Sequence, residues 1–159
     1  MKSQIRPELF GWVLLQSGDI QQTLGNHERA IRELAEAARL LRDGKQYIAL
    51  ADVNWMISGI FRANGRFDEA LILLEMSRQD HARLGMTWPE GYHRMLIAET
   101  YLAMGRPREA ETEIRAALPI LEEHGMLADA VIAVNLLREA IRQRKLLPAD
   151  IRDASKPKG

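Results

Sequence analysis

The sequence predicts an all-α fold in which antiparallel helix hairpins stack side by side, and three observations carry that prediction. Three glycine-containing segments recur 40 residues apart: Gly25-Asn-His-Glu-Arg-Ala30, Gly65-Arg-Phe-Asp-Glu-Ala70 and Gly105-Arg-Pro-Arg-Glu-Ala110. Small residues recur in the same register. Gly18, Ser58 and Ala98 coincide, as do Ala30, Ala70 and Ala110, and Ala37, Ser77 and Ala117, with Leu34, Leu74 and Ile114 between the last two sets. A second series, Gly44, Gly85 and Gly125, closes the other half of each unit. Residues without bulk at fixed places let two helix backbones approach, while larger apolar neighbours fill the space between layers. Self-similarity at a fixed period is how such arrays announce themselves.

Apolar periodicity between the glycines predicts helices over 7–23, 26–43, 45–63, 66–84, 88–104, 106–124 and 126–144. The first is the weakest. Gly11 and Gly18 lower its propensity, and Ser17 and Gln21 stand where later units carry Ile57 and Phe61, then Ile97 and Tyr101; fraying or a break near Ser17-Gly18-Asp19 is expected. Gly44, Gly85 and Gly125 are each expected in the left-handed conformation just past a helix end. Val53, Ile57 and Ile60 mark the third helix, and Leu71, Leu74, Ser77 and His81 the fourth. Thr87-Trp-Pro-Glu90 reads as a capping box opening the fifth, with Pro89 in a turn that needs no donor. Pro119 falls inside the sixth, where a lost backbone bond costs about 3 kcal/mol, and a kink is expected there.

The seventh helix keeps the register through Leu137 and Ile141, but Arg138 takes the place of Gly18, Ser58 and Ala98, and Lys145 replaces the hairpin glycine. A large charged residue where a further helix would pack is the mark of a solvated cap. Residues 1–147 therefore read as one repeat domain and 148–159 as a basic, disordered tail.

Composition narrows the function classes. Lys plus Arg equals Asp plus Glu at 22 each, so no bulk field draws the chain to nucleic acid. No apolar run approaches the roughly 20 residues of a membrane span, and Leu9 to Leu15 lacks the flanks of a secretory leader. The absence of cysteine excludes disulfides and thiolate-bound metals and fits the cytoplasm. His27, His81, His93 and His124 form no ligand pair and are expected at the surface or at hairpin edges. No nucleophile has a partnered base and no glycine-rich phosphate loop follows a strand, so neither an enzyme nor a metal or cofactor site is expected.

These residues resemble the tetratricopeptide repeat family, whose hairpins carry a small residue in the middle of the first helix, glycine at the turn, and two small residues seven apart in the second. Here those places hold Ser58, Gly65, Ala70 and Ser77, then Ala98, Gly105, Ala110 and Ala117, with Phe61 and Tyr101 at the aromatic place. The likeness covers residues 11 to 145 and departs in its period of 40 rather than about 34, and in lacking a closing proline. The period is similar to that of the longer-repeat subgroup of bacterial signalling regulators and kinesin light chains. The resemblance implies a right-handed superhelical stack, three hairpins plus a C-terminal capping helix, that serves as a non-enzymatic scaffold or adaptor. A protein or peptide partner would lie in a concave groove lined by the first helix of each hairpin. A regulatory sensor module binding an effector or a partner chain is the alternative.

Carried through the register, that groove places Trp12, Leu15, Asp19 and Gln22 in the first layer and Asp52, Trp55, Gly59 and Arg62 in the second. Tyr92, Met95, Glu99 and Leu102 fall in the third, and Ile132, Asn135, Glu139 and Arg142 in the fourth. The candidate partner-binding residues are Trp12, Asp52, Trp55, Arg62, Tyr92, Met95, Glu99, Asn135, Glu139 and Arg142, a mixture of rings, one thioether and single polar groups suited to an adaptable peptide groove. Filling of the interlayer core by Trp12, Trp55 and Met95 stands as an equal alternative. The Lys, Arg and Asn clamp that some family members use on acidic tails is absent, since Leu15, Asp19, Met56, Tyr92 and Leu96 occupy those places. Asp19, Glu99 and Glu139 form an acidic row instead. Finally, Leu9, Phe10, Trp12, Val13 and Leu14 at one end, and Val131, Ile132, Val134, Leu136 and Leu137 at the other, offer apolar stripes through which a homo-oligomer could form, unless Leu146, Leu147 and Ile151 fold back over the second.

Overall fold

A computed structural model describes residues 6–148; the expected tail beyond Pro148, and Ile151 with it, lie outside the described residues. Among the described residues there are seven helices and no strands: α1 Pro7–Thr23, α2 His27–Asp43, α3 Tyr47–Ala63, α4 Phe67–Arg83, α5 Trp88–Ala103, α6 Pro107–Glu123 and α7 Leu127–Leu146. The fold is a TPR-like α-solenoid of consecutive helix pairs.

One turn joins each helix to the next. In the first, the Gly25 amide donates to the Gln22 carbonyl and the Asn26 amide to that of Gln21, the paired bonds of a Schellman cap, and the Asn26 carbonyl then accepts from Ala30 to open α2. The same long bond runs from Gln46 to Leu41, Arg66 to Phe61, Met86 to His81, Arg106 to Tyr101 and Met126 to Leu121. Such a cap needs one residue with positive φ. Gly25, Gly65, Gly85, Gly105 and Gly125 supply it, with φ between 67° and 78°. The expectation for Gly44 is overturned: its φ is −80°, and Lys45 takes the left-handed place with φ 56°. Gly44 is small for another reason. A Cβ there would come within 2.6 Å of the Glu8 Cβ on α1.

Two compact units make up the chain, residues 1–87 and the chain from Trp88 on. In the first, α1, α2, α3 and α4 pack consecutively around Leu15, Ala30, Leu34, Ala37, Leu41, Ala49, Val53, Ile57 and Ile60. In the second, α5, α6 and α7 close on Met95, Ala98, Ala110, Ile114, Ala117, Leu121, Ala130, Ala133 and Ala140. Positions 40 apart share a fate: Ala30, Ala70 and Ala110 are all fully buried, as are Leu34, Leu74 and Ile114, and Ala37, Ser77 and Ala117.

Close approach also explains why α1 runs unbroken, against the expected break at Ser17-Gly18-Asp19. Gly18 faces α2, and a Cβ built on it would sit 2.6 Å from Leu34 Cγ. The glycine weakens the isolated helix and makes the hairpin possible. α6 likewise continues through Pro119, which lies on its exposed side. At the far end Arg138 is exposed and α7 runs through Lys145, as a helix does when the glycine that would end it is missing.

Candidate functional site

In the first unit the groove candidates lie on α1 and α3. A Cβ at Gly59 would approach the Gln22 side-chain amide at 3.6 Å, so the inner faces of these two helices adjoin. Trp12 remains 41% exposed and Trp55 39%, which decides against both rings being core filler. Leu15, in the same inner row, is buried. Arg62, half-buried, stands in the last turn of α3, where a cation complements the helix dipole.

Asp52 is held rather than loose. Its Oδ1 lies 3.4 Å from Nε2 of His81 on α4, and the other ring nitrogen of His81 is 2.9 Å from the Ser77 carbonyl. The Ser77 hydroxyl donates to the Ala51 carbonyl at 2.9 Å, a bond between α3 and α4 beneath the aspartate. The histidine expectation therefore fails for two residues: His81 and His93 are buried, the latter with Nδ1 2.7 Å from the Pro89 carbonyl. Each helix hides an imidazole by satisfying a ring nitrogen with a carbonyl four residues earlier.

In the second unit Tyr92 and Glu99 on α5 are half-buried, and Tyr92 packs against the core. Met95, expected to project from the inner face, is only 3% exposed and belongs to that core. Its place follows Leu15, which is buried as well; an aliphatic chain at this register turns inward where Trp55 cannot. Arg94 ties α5 to α6 by bonding both Glu90 and Glu113 at 2.8 Å. On α7, Asn135 and Arg142 are exposed. Arg142 donates twice to Glu139, and Gln143 once. These bonds, the Arg142 one first, hold the Glu139 carboxyl at about 2, well below the usual carboxylate range. Its charge is thus offset locally, which weakens the acidic row as a recognition feature.

Sequence reasoning missed one recurring device. At the Schellman turns, where an apolar contact usually spans the cap, Arg66 lies 4.0 Å over the Phe61 ring and Arg106 4.7 Å over Tyr101. Each arginine also pairs with a glutamate three residues on, Glu69 and Glu109. In the first hairpin the Asn26 amide donates to the Gln21 side chain instead. The signal was available, because the triplet repeats at the same shift of 40. Among the described residues no group of three or more His, Asp and Glu could hold a metal, and no helix is long and apolar enough to cross a membrane.

The seven-helix arrangement is a TPR-like helical repeat fold, and solved structures share that fold. No family model matches the chain. The Arabidopsis thaliana protein Kinesin Light Chain-Related 3 is 27% identical over 117 residues, 69% of this chain and 17% of the relative. Among solved structures, a Rap protein complexed with competence and sporulation factor is similar with a TM-score of 0.70 at 16% identity, covering 90% of this chain and 43% of that one. A Podosopora anserina kinesin light chain with nearly identical TPR-like repeats gives 0.62 at 17% identity, covering 90% and 75%. The chain thus spans less than a fifth of the plant relative and less than half of the Rap protein.

Proposed function

We propose that the chain is a protein-interaction scaffold or adaptor that takes a peptide or protein segment along the inner faces of its first helices. The exposure of Trp12 and Trp55 on adjoining helices carries this reading. Two indole rings held exposed on rigid helices give large contact area at little entropic cost. Asp52 and Arg62 flank Trp55 on α3 and give a segment crossing it opposite charges to align with. A binding rather than a catalytic role, in the cytoplasm, is part of this reading.

Capture from the source cell tests this. The wild-type chain is expected to recover a protein partner that Trp12→Ala and Trp55→Ala lose, while Ile72→Ala, exposed on α4, retains it and all variants melt alike. Equal capture by every variant, or loss that follows melting temperature, defeats the reading. The likeness to a Rap protein complexed with a named factor favours a second reading, a sensor module that binds an effector. In that case native mass spectrometry of the purified chain shows a small ligand and capture yields no protein.

A further inference from the structure

At three places in the hairpin of α3 and α4 the repeat gives way to polar residues, and the three meet. His81 follows the register of Leu41 and Leu121, both fully buried, and Ser77 that of Ala37 and Ala117, so hydrocarbon alone meets the packing at these places in the other hairpins. Asp52 stands where the other units carry Trp12, Tyr92 and Ile132. Burying an imidazole where leucine fits costs stability unless its nitrogens are bonded. The trio therefore goes beyond what packing requires.

Its hydrogen bonds fix where the protons are. The Ser77 hydroxyl gives its one hydrogen to the Ala51 carbonyl at 2.9 Å, so it does not donate to Nδ1 of His81, 3.4 Å away. The Ser77 carbonyl, 2.9 Å from Nδ1, only accepts, and Nδ1 carries a proton. Nε2 lies 3.4 Å from Asp52 Oδ1 and donates only in the imidazolium; in the neutral ring its lone pair faces the carboxylate. Asp52 is the one carboxylate of α3, whose other titratable groups, Tyr47 and Arg62, stand at its two ends. On α4 itself, Glu75 pairs with Arg78 and Asp80 with Arg83, while Asp68 and Glu69 lie in the first turn, far from His81.

We propose that His81 is a positioning residue for the candidate site, a proton-operated latch that holds the Asp52 side chain against α4 while the ring is charged and frees it when the ring is neutral. Only 5% of the imidazole reaches solvent but 49% of the aspartate side chain does, so the Nε2 proton exchanges with water past a group with room to turn. Asp52 and Trp55, three residues apart, share a face of α3. A freed carboxylate thus stands beside an exposed indole, where it can pair with a cationic group of a bound segment, and acidification withdraws it. This effect on a ligand rests on the scaffold reading.

NMR of the free 159-residue chain from about pH 5 to 9, a range that brackets the ordinary imidazole, tests the latch. The His81 ring is expected to titrate with its Nδ1 proton retained, and the three-bond couplings about χ1 of Asp52 to pass from one rotamer to an average at the same midpoint. In His81→Gln those couplings should stay flat. A ring of fixed charge across the range, a neutral ring with its proton on Nε2, or an Asp52 rotamer that ignores the His81 step overturns the proposal, as does a rotamer change that His81→Gln preserves. No ligand takes part in this measurement, so failure to capture a partner defeats the scaffold reading and leaves the latch standing, whereas a fixed Asp52 defeats the latch alone.

Discussion

At single residues, backbone conformation and charge each make a prediction. Lys45 occupies the left-handed place that glycine fills in the other five turns, and an L side chain there crowds its own carbonyl. Lys45→Gly is expected to stabilise the protein by about 0.5–1 kcal/mol in urea unfolding. Gly44→Ala, one residue earlier, is expected to destabilise, since its methyl meets Glu8 at a distance carbon atoms do not tolerate. The opposite signs at neighbouring positions separate a conformational requirement from a steric one, and equal effects would refute the assignment. Glu139 gives the second prediction. Its carboxyl is held at about 2 by Arg142 and Gln143, so the ion pair's contribution is complete above the ordinary carboxylate range and is lost as pH falls from that range through about 2. An NMR titration should find the Glu139 carboxyl still ionised at pH 3.5, and Arg142→Ala should return it toward the ordinary glutamate value of about 4.3; titration of the wild-type group near that value would dismiss the pair.

At the scale of the helix, propensity and packing pull against each other, and magnitude decides. Gly18→Ala gains about 1 kcal/mol of helix propensity in α1, but its methyl would sit 2.6 Å from Leu34, and overpacking a filled interface costs about 1–3 kcal/mol. The net expectation is a loss. Leu34→Ala alone should cost about 2–5 kcal/mol through the cavity it leaves. The double variant should lose less than the sum, because one methyl enters the space the other vacates, and strict additivity would show that the two do not touch. The same competition separates what the sequence disclosed from what it hid. Helix positions came from the spacing of glycines and apolar residues, a local signal, and the register of small residues located the hairpin interfaces before any coordinates. A break at Gly18 was expected because propensity is local, whereas the need for a bare backbone opposite Leu34 is tertiary. The left-handed residue was assigned to Gly44 by residue type, although the strict shift of 40 from Gly85 and Gly125 lands on Lys45. For the candidate site the register places Trp12 on α1 and Trp55 on α3, and both rings are exposed. It failed for Met95, whose burial depends on how a flexible side chain meets α6 and α7, and for His81, whose burial rests on a serine placed among alanines.

For the whole molecule, the division at Thr87 and Trp88 has thermodynamic content. A repeat array stabilises itself through contacts between neighbours, so its stability is a sum over units and interfaces and need not be lost all at once. The two cores have separate residue lists, one centred on Leu34, Leu41 and Ile60 and the other on Ile114 and Leu121. Truncating a fully buried residue in one should therefore open that unit first. Leu74→Ala in α4 and Ile114→Ala in α6 occupy equivalent places 40 residues apart, both with no exposed surface, and each should cost about 2–5 kcal/mol locally. Native-state hydrogen exchange discriminates the outcomes. Leu74→Ala is expected to lower protection of the slowest amides in α2, α3 and α4 while those of α5, α6 and α7 hold, and Ile114→Ala to do the reverse. The result matters for binding as well as folding, because Trp12 and Trp55 are mounted on the first unit and Glu99, Asn135 and Arg142 on the second. If either substitution lowers protection equally in all seven helices, the chain unfolds as one body, and a partner gripping the first unit would then stabilise the second by linkage; if the losses stay local, the two inner faces are energetically independent and each can be tested for a ligand without disturbing the other.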